Sequence, residues 1–267
     1  MKILIISIDK GLLGRDQLGD VVKRHQKYSE FTERLDVVVF SRPGYEPNVV
    51  SDRMTVYPTN SKNRLSYLFD GLRLGKKLFL ANHYDLIITQ EPFVTALVGY
   101  RLKKKFKARL LIHFHGDFWN NSNWLKESRF NFIFLAISKF LAPRADGLRA
   151  MSQGQKEKFV KSGINEKKIR VISTPVDLKK FENYGQEEKQ KKLWESLAAE
   201  SKGTKFVLIV GRKDLVKDFS TLFKTINLVY KKNPEAGLWL VGNHTSYDEI
   251  KNELELPPEK VRLTGRV

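Results

Sequence analysis

The sequence has no cysteine in 267 residues. A disulfide framework, a cysteine-based zinc site, an iron–sulfur cluster and a thiol nucleophile are thereby excluded, and the absence suits a reducing cytosol. Long hydrophobic runs are lacking as well. Met1 to Ile8 is apolar apart from Lys2 and Ser7, but Asp9 and Lys10 interrupt it before it could act as a signal core. The longest apolar-looking stretch, Phe130 to Ala142, contains Asn131, Ser138 and Lys139 and is too short to span a bilayer. Negative charge is also scarce: 48 Lys and Arg face 30 Asp and Glu, a formal net charge of +18. The composition, 41% hydrophobic and 11% aromatic, is that of a globular chain. It predicts a soluble or peripheral protein.

The charge is unevenly placed. Residues 1–175 hold 31 basic and 16 acidic side chains, about +15, whereas 176–267 hold 17 and 14, about +3. A basic face attracts nucleic acid, anionic lipid or a phosphorylated small molecule, and net charge does not choose among them.

Along the chain, apolar runs alternate with helical patterns. Lys2–Ile8, Leu35–Phe40, Thr55–Tyr57, Leu86–Thr89 and Arg109–Phe114 read as strands, several of them apolar enough to be buried on both faces of a parallel sheet. Helices are expected over Asp20–Phe31, Arg64–Asn82, Pro92–Lys105 and Trp124–Leu141. The strand Gly147–Ser152, a helix to Lys161 and the strand Lys168–Ile172 complete a first α/β domain over 1–175. Residues 176–204, with an amphipathic helix over Gln186–Glu200, read as a connection and entry helix. A second βαβ pattern begins at Lys205–Gly211 and continues through a helix over Phe219–Lys232, the strand Gly237–Gly242, a helix over Asp248–Leu254 and the strand Val261–Thr264. This is the pattern of two Rossmann-like, doubly wound parallel sheets, and three strands leave the second, over 205–267, incomplete.

Ligands of such sheets bind at the carboxyl ends of the strands, so the loops there carry the candidate chemistry. In Gly211-Arg-Lys-Asp-Leu-Val-Lys217, Arg212 and Lys217 are five positions apart and close to a helix start, where both can reach one phosphate group. They also fit two solvated cations on a basic surface. Gly11, Gly14 and Gly19 follow the first strand and fit either a loop closing on a diphosphate or ordinary turn glycines. In His113-Phe-His-Gly-Asp117, His113 alternates with the apolar strand positions and reads as structural. His115, at the strand exit, can hydrogen-bond a substrate hydroxyl or a developing charge. His115 and Asp117 do not make a metal-binding spacing.

The same residues resemble a known family, the GT4-type retaining glycosyltransferases of GT-B fold. Val207-Leu-Ile-Val-Gly-Arg212, Lys217-Asp218, Thr221-Leu-Phe223, Leu240-Val-Gly242 and Val261-Arg-Leu-Thr-Gly265 follow the landmarks of its donor domain in order. Gln90-Glu-Pro-Phe93, His113–Asp117, Ala150-Met-Ser152 and Val171–Asp177 are the matching anchors earlier in the chain. The resemblance implies transfer of a hexosyl group from a nucleotide-diphosphate sugar, the co-substrate, to a glycan or lipid-linked acceptor. No metal or other cofactor is implied.

By that resemblance Arg212 and Lys217 hold the donor diphosphate and stabilise its departure. His115 lies near the transferred sugar, Gly242, Gly265 and Val267 line the donor side, and Gly11, Gly14 and Gly19 close over phosphate and acceptor. Glu91 and Asp117 fall on the acceptor side. The first glycine loop departs from the family's adjacent Gly-Gly. The family's spaced glutamate pair, which contacts the donor ribose and sugar, falls beyond Val267, so the sequence is expected to be a truncated piece of a longer enzyme.

Two other classes compete. A nucleic-acid-binding protein is suggested by the charge and by Arg101–Arg109, but those cations fall where a solvated helix end would, without a recognisable binding motif. An NAD-dependent epimerase would need the glycine fingerprint that neither first strand carries. An anionic membrane surface is a further expected partner, through Lys103–Arg109 and the aromatic segment from Phe118 to Phe140, for a cytoplasmic protein on the inner face of the membrane. The alternative is that this segment packs inward through its Phe, Ile and Leu side chains.

Overall fold

The computed structural model describes residues 1–14, 20–176, 178–179, 192, 195, 203–211, 218–242 and 246–265. The chain divides into two compact units, Met1–Pro175 and Val176–Val267.

The first unit is an eight-stranded sheet. In chain order its strands are β1 (Lys2–Ser7), β2 (Arg34–Val39), β3 (Asn48–Ser51), β4 (Met54–Pro58), β5 (Leu86–Thr89), β6 (Arg109–His113), β7 (Gly147–Ala150) and β8 (Ile169–Val171). Their spatial order is β3-β4-β2-β1-β5-β6-β7-β8, and all pairings are parallel except β3 with β4. Burial on both faces explains the apolar runs: Ile3 and Ile5 of β1 join one core cluster, and Leu4 and Ile6 join the other.

Helices α1 (Val21–Ser29), α2 (Tyr67–Asn82), α3 (Val94–Phe106), α4 (Ser122–Glu127), α5 (Asn131–Leu141) and α6 (Gln153–Lys161) connect the strands. Helix α3 approaches the sheet closely at Gly99. A Cβ there would stand 2.6 Å from Thr89 Cγ2 and 2.9 Å from Leu110 Cδ1. At the amino-terminal side of the sheet Asp36 is buried, with Arg34 Nε 2.5 Å from its Oδ2 and the Tyr84 hydroxyl donating to the same oxygen. Asp36 Oδ1 has no partner among the described residues.

Several expectations are corrected. The four-residue strand β3 has no counterpart among the strands expected from the sequence; it turns back antiparallel on β4 and covers that edge. The single helix over Trp124–Leu141 is two helices, because Ser128 takes an extended conformation and its Oγ accepts from the Phe130 amide. Helix α5 divides its apolar side chains: Leu141 is buried, Leu135 and Ile137 pack against the core and Phe134 meets the Phe93 ring, as inward packing requires, while Phe132, Ile133 and Phe140 are exposed. No helix among the described residues is long and apolar enough to cross a membrane.

In the second unit, β9 (Lys205–Val210), α7 (Phe219–Lys232), β10 (Ala236–Val241) and β11 (Val261–Gly265) form a three-stranded parallel sheet, in the order β11-β10-β9, with a helix packed on it. Phe219, Phe223 and Ile226 of α7 bury against Leu238 and Leu240. The helix expected over Asp248–Leu254 is only a short 3-10 turn, Tyr247–Glu249, followed by turns. Val207, Leu208 and Val210 of β9 are exposed. The helix expected over Gln186–Glu200 lies outside the described residues, apart from isolated positions.

Candidate active site

In the first unit the carboxyl ends of β1, β5, β6 and β7 surround a cavity of about 210 Å³. Ser7 and Asp9 enter it from the exit of β1, Gln90 from that of β5, His113 and His115 from β6, and Arg149 from β7. Helix α1 adds Arg24, His25 and Tyr28, and Thr174 and Pro175 close one side. Parallel pairing explains the convergence, because neighbouring strands deliver their carboxyl ends to one edge of the sheet.

Gln90 shapes the floor. Its Oε1 accepts from the amides of Ile8 at 2.8 Å and Asp9 at 3.2 Å, and from the Ser7 hydroxyl. Asp9 then caps the following turn by accepting from Gly11 N at 3.0 Å. Gly14 ends that turn in the left-handed region, φ +79°, and donates its amide to the Gly11 carbonyl. The amides of Gly11 and Gly14 are thus both bonded inside the turn. Gly19 lies outside the described residues.

The histidines are held neutral. Burial lowers His113 to about 3, with Arg149 and His115 adding repulsion of a second proton. His115 is lowered by the same two causes in the same order, burial and then Arg149. His25 is lowered by burial, although its Nδ1 lies 2.8 Å from the Val21 carbonyl, a contact that favours the protonated ring. Arg149 is fixed by its own donors: Nε to the Ile172 carbonyl at 2.8 Å and Nη2 to the Ser173 carbonyl at 3.0 Å. The cavity therefore presents neutral imidazoles beside two guanidinium groups; a neutral ring carries one N–H donor and one acceptor nitrogen, and His25, whose Nδ1–H is given to the Val21 carbonyl, keeps only its acceptor.

The two acceptor-side candidates are engaged elsewhere. Glu91 accepts from the Phe93 amide at 2.6 Å and the Thr95 amide at 2.7 Å, fastening the start of α3, and burial raises its carboxyl to about 7. Asp117 is paired with Lys158 of α6, Nζ to Oδ2 2.5 Å. Neither lines the cavity. His113, read as structural from its alternation, does line it. Arg24, His25, Gln90 and Arg149 complete a lining that the sequence did not assign. The available signal for Arg149 was a charge within the otherwise apolar strand Gly147–Ala150.

In the second unit, Gly242 and Gly265 are brought together: the Gly242 amide donates to the Gly265 carbonyl at 2.7 Å. Both take positive φ, at +138° and +66°, where the ends of β10 and β11 meet. Gly211 joins them through its amide bond to the Val241 carbonyl, 2.8 Å. At the start of α7, Asp218 accepts from Thr221 N at 3.1 Å and Thr221 Oγ1 at 2.7 Å, which hold its carboxyl below the usual range. Arg212, Lys217 and Val267 lie outside the described residues. Among the described residues no group of three His, Asp or Glu side chains is placed to hold a metal ion.

Two α/β units, each built on a largely parallel sheet, are the architecture of the GT-B class of fold. One solved structure of that kind, Anabaena HepE in complex with UDP and glucose, matches with a TM-score of 0.66 at 19% identity, over all of this chain and 70% of that one. The chain belongs to Glycosyltransferase Family 4, whose model matches residues 29–180. An uncharacterized glycosyltransferase of Methanocaldococcus jannaschii is 27% identical over 172 residues, 62% of this chain and 41% of the relative. An uncharacterized protein in the cps region of Klebsiella pneumoniae is 29% identical over 180 residues, 64% of this chain and 47% of that protein. The chain therefore aligns with less than half the length of either curated relative.

Proposed function

We propose that this protein transfers a hexosyl group from a nucleotide-diphosphate sugar to a glycan or lipid-linked acceptor with retention, in cell-envelope polysaccharide or glycolipid synthesis. The observation that carries the reading is the cavity of the first unit, where His115 meets Gln90, Ser7 and Arg149 at the strand ends of a Family 4 chain. HepE, a structural neighbour, is complexed with UDP and glucose, which supports a uridine nucleotide sugar as the first donor to test.

In this reading the C1–O bond to the diphosphate breaks, and an acceptor oxygen bonds to C1 on the same face. The acceptor's proton leaves with the diphosphate. Arg212 and Lys217 bind that diphosphate and stabilise the charge that develops on it, without a metal. Neutral His115 holds a hydroxyl of the transferred sugar. The paired glycine turns at Gly242 and Gly265 let the nucleotide approach the backbone. Expression of residues 1–267 and assay with UDP-glucose, UDP-galactose and GDP-mannose, alongside thermal shift with UDP and GDP, tests the reading. A nucleotide-dependent shift abolished by Arg212→Ala supports it; no response to any nucleotide or sugar nucleotide refutes it for this chain.

A membrane-facing role on the cytoplasmic side is supported by α5. Phe132, Ile133 and Phe140 of this helix and Phe130 just before it are exposed, and Lys126, Arg129, Lys139 and Arg144 lie along the same segment. Such a face buries apolar side chains among acyl chains while cations meet lipid phosphates. Co-sedimentation with phosphatidylglycerol vesicles but not with phosphatidylcholine vesicles is the expected outcome.

A further inference from the structure

A second cavity, of about 560 Å³, opens beside the first at the carboxyl ends of β1, β2 and β4. It is lined by Lys10, Arg42 and Arg64, with Ile8, Asn63 and a floor made by Phe40 and Tyr67. The two rings are stacked, with centroids 5.3 Å apart and planes 21° from parallel. No lining residue is acidic, and none of the three cations is in an ion pair among the described residues.

The cations stand on a fixed base. The loops after β2 and β4, which carry Arg42 and Arg64, are tied together through buried hydroxyls. Ser41 N donates to Thr59 Oγ1 at 3.0 Å, Ser61 Oγ donates to the same oxygen at 3.0 Å, and Asn60 N donates to Ser41 Oγ at 3.0 Å. Asn60 adopts a left-handed φ of +47° and exchanges two bonds with the backbone of Tyr45. Arg42 Nη1 reaches the Lys62 carbonyl across the two loops. A buried network of this kind holds its loops in one arrangement before any ligand arrives.

Like charges gathered without a counter-carboxylate repel one another, and an anion relieves that repulsion. Three cations exceed what a single carboxylate needs and match a phosphate group, which carries about −2 at neutral pH. The exit of β1 joins the two cavities: Ser7 and Asp9 face the histidine cavity, and Ile8 and Lys10 face the basic one. A molecule held by its phosphate in the second can thus extend over this turn toward His115.

We propose that the basic cavity binds a phosphate or diphosphate group of the acceptor, so that the acceptor is a phosphorylated sugar or a lipid-linked sugar diphosphate. The proposal rests on the glycosyltransferase reading. It also gives a use to the charge excess of the first 175 residues that the donor site leaves unexplained.

The test titrates glucose 1-phosphate and, separately, farnesyl diphosphate into the full chain in the presence of UDP, by calorimetry. Wild type is compared with the double variant Lys10→Gln/Arg64→Gln; both side chains are exposed, and Arg42, which bridges the loops, stays in place. Circular dichroism verifies the fold of the variant. Binding of at least one probe is expected, weakened about tenfold or more in the variant by loss of charge-assisted contacts. UDP affinity is expected to be unchanged. Tighter binding of the farnesyl probe assigns the phosphate to a lipid carrier, and tighter binding of glucose 1-phosphate assigns it to a soluble sugar. Equal binding by variant and wild type, no binding of either probe, or an equal loss of UDP affinity overturns the site. Retained, variant-sensitive phosphate binding in a chain that ignores UDP would instead count against the glycosyltransferase reading alone.

Discussion

The rings of His113 and His115 stand edge to face, with centroids 5.6 Å apart and planes at 68°, and both are held neutral by burial beside Arg149. Two imidazoles so placed cannot both take up protons as they would in water.

Stability should therefore depend on pH in a defined sense. Above the ordinary histidine range both folded and unfolded states are neutral here, and the pair contributes no pH dependence. As pH falls from about 6.5, the unfolded chain binds protons that the folded one refuses, so stability declines toward the folded value of about 3 for His113. Urea melts between neutral pH and pH 4.5 are expected to show a slope that His113→Gln reduces. A slope unchanged in that variant would assign the acid sensitivity to other groups.

Glu91→Ala should cost about 1–2 kcal/mol, the scale of a lost helix cap, because two amides at the start of α3 lose their acceptor. A lower Tm with an unaltered acceptor KM is the expected combination. A raised KM at full stability would return Glu91 to the acceptor site.

Tyr84→Phe removes the hydroxyl that donates to buried Asp36, whose other oxygen already has no partner among the described residues. The expected loss is about 1–3 kcal/mol in chemical denaturation. Burial and the Asp36 contact raise the Tyr84 hydroxyl far above its usual range, so phenol ionisation should not appear in an ultraviolet titration until the chain unfolds.

On α5, Phe132→Ser/Ile133→Ser should leave stability within about 0.5 kcal/mol, as exposed substitutions usually do. Retention on anionic vesicles should fall severalfold. Undiminished retention would show that other surfaces carry the membrane contact.

Gly99→Ala should destabilise even though alanine favours a helix by about 1 kcal/mol. The new methyl would press on Thr89 and Leu110, and overpacking of that kind costs about 1–3 kcal/mol. Equilibrium denaturation gives the net sign.

The buried parallel strands were legible because burial on both faces demands apolar side chains at successive positions, as in Ile3–Ile6 and Val37–Phe40. Strand β3 was not, since Asn48-Val-Val-Ser51 is short, half exposed and lies between turn residues. The break between α4 and α5 depends on Ser128 and on an Asn131 side chain reaching the Trp124 carbonyl at 2.6 Å, a contact with no periodic signature. His115 was legible from its place at a strand exit. Arg24 and His25 were not, because their nearness to β6 follows from β1 and β6 both flanking β5, which local pattern does not reveal. The role of Glu91 as a helix fastening depends on where its carboxylate turns, and Gln90-Glu-Pro-Phe93 permits either direction.

The first sheet ends in a four-residue strand on one flank, β3, and a three-residue strand on the other, β8, which leaves little open backbone for a second molecule to copy. Strand β9 is different: six residues long, it has one strand neighbour among the described residues and exposes Val207, Leu208 and Val210. Self-association through an open strand edge therefore falls to the second unit, and charged residues placed along β9 are the direct means of suppressing it.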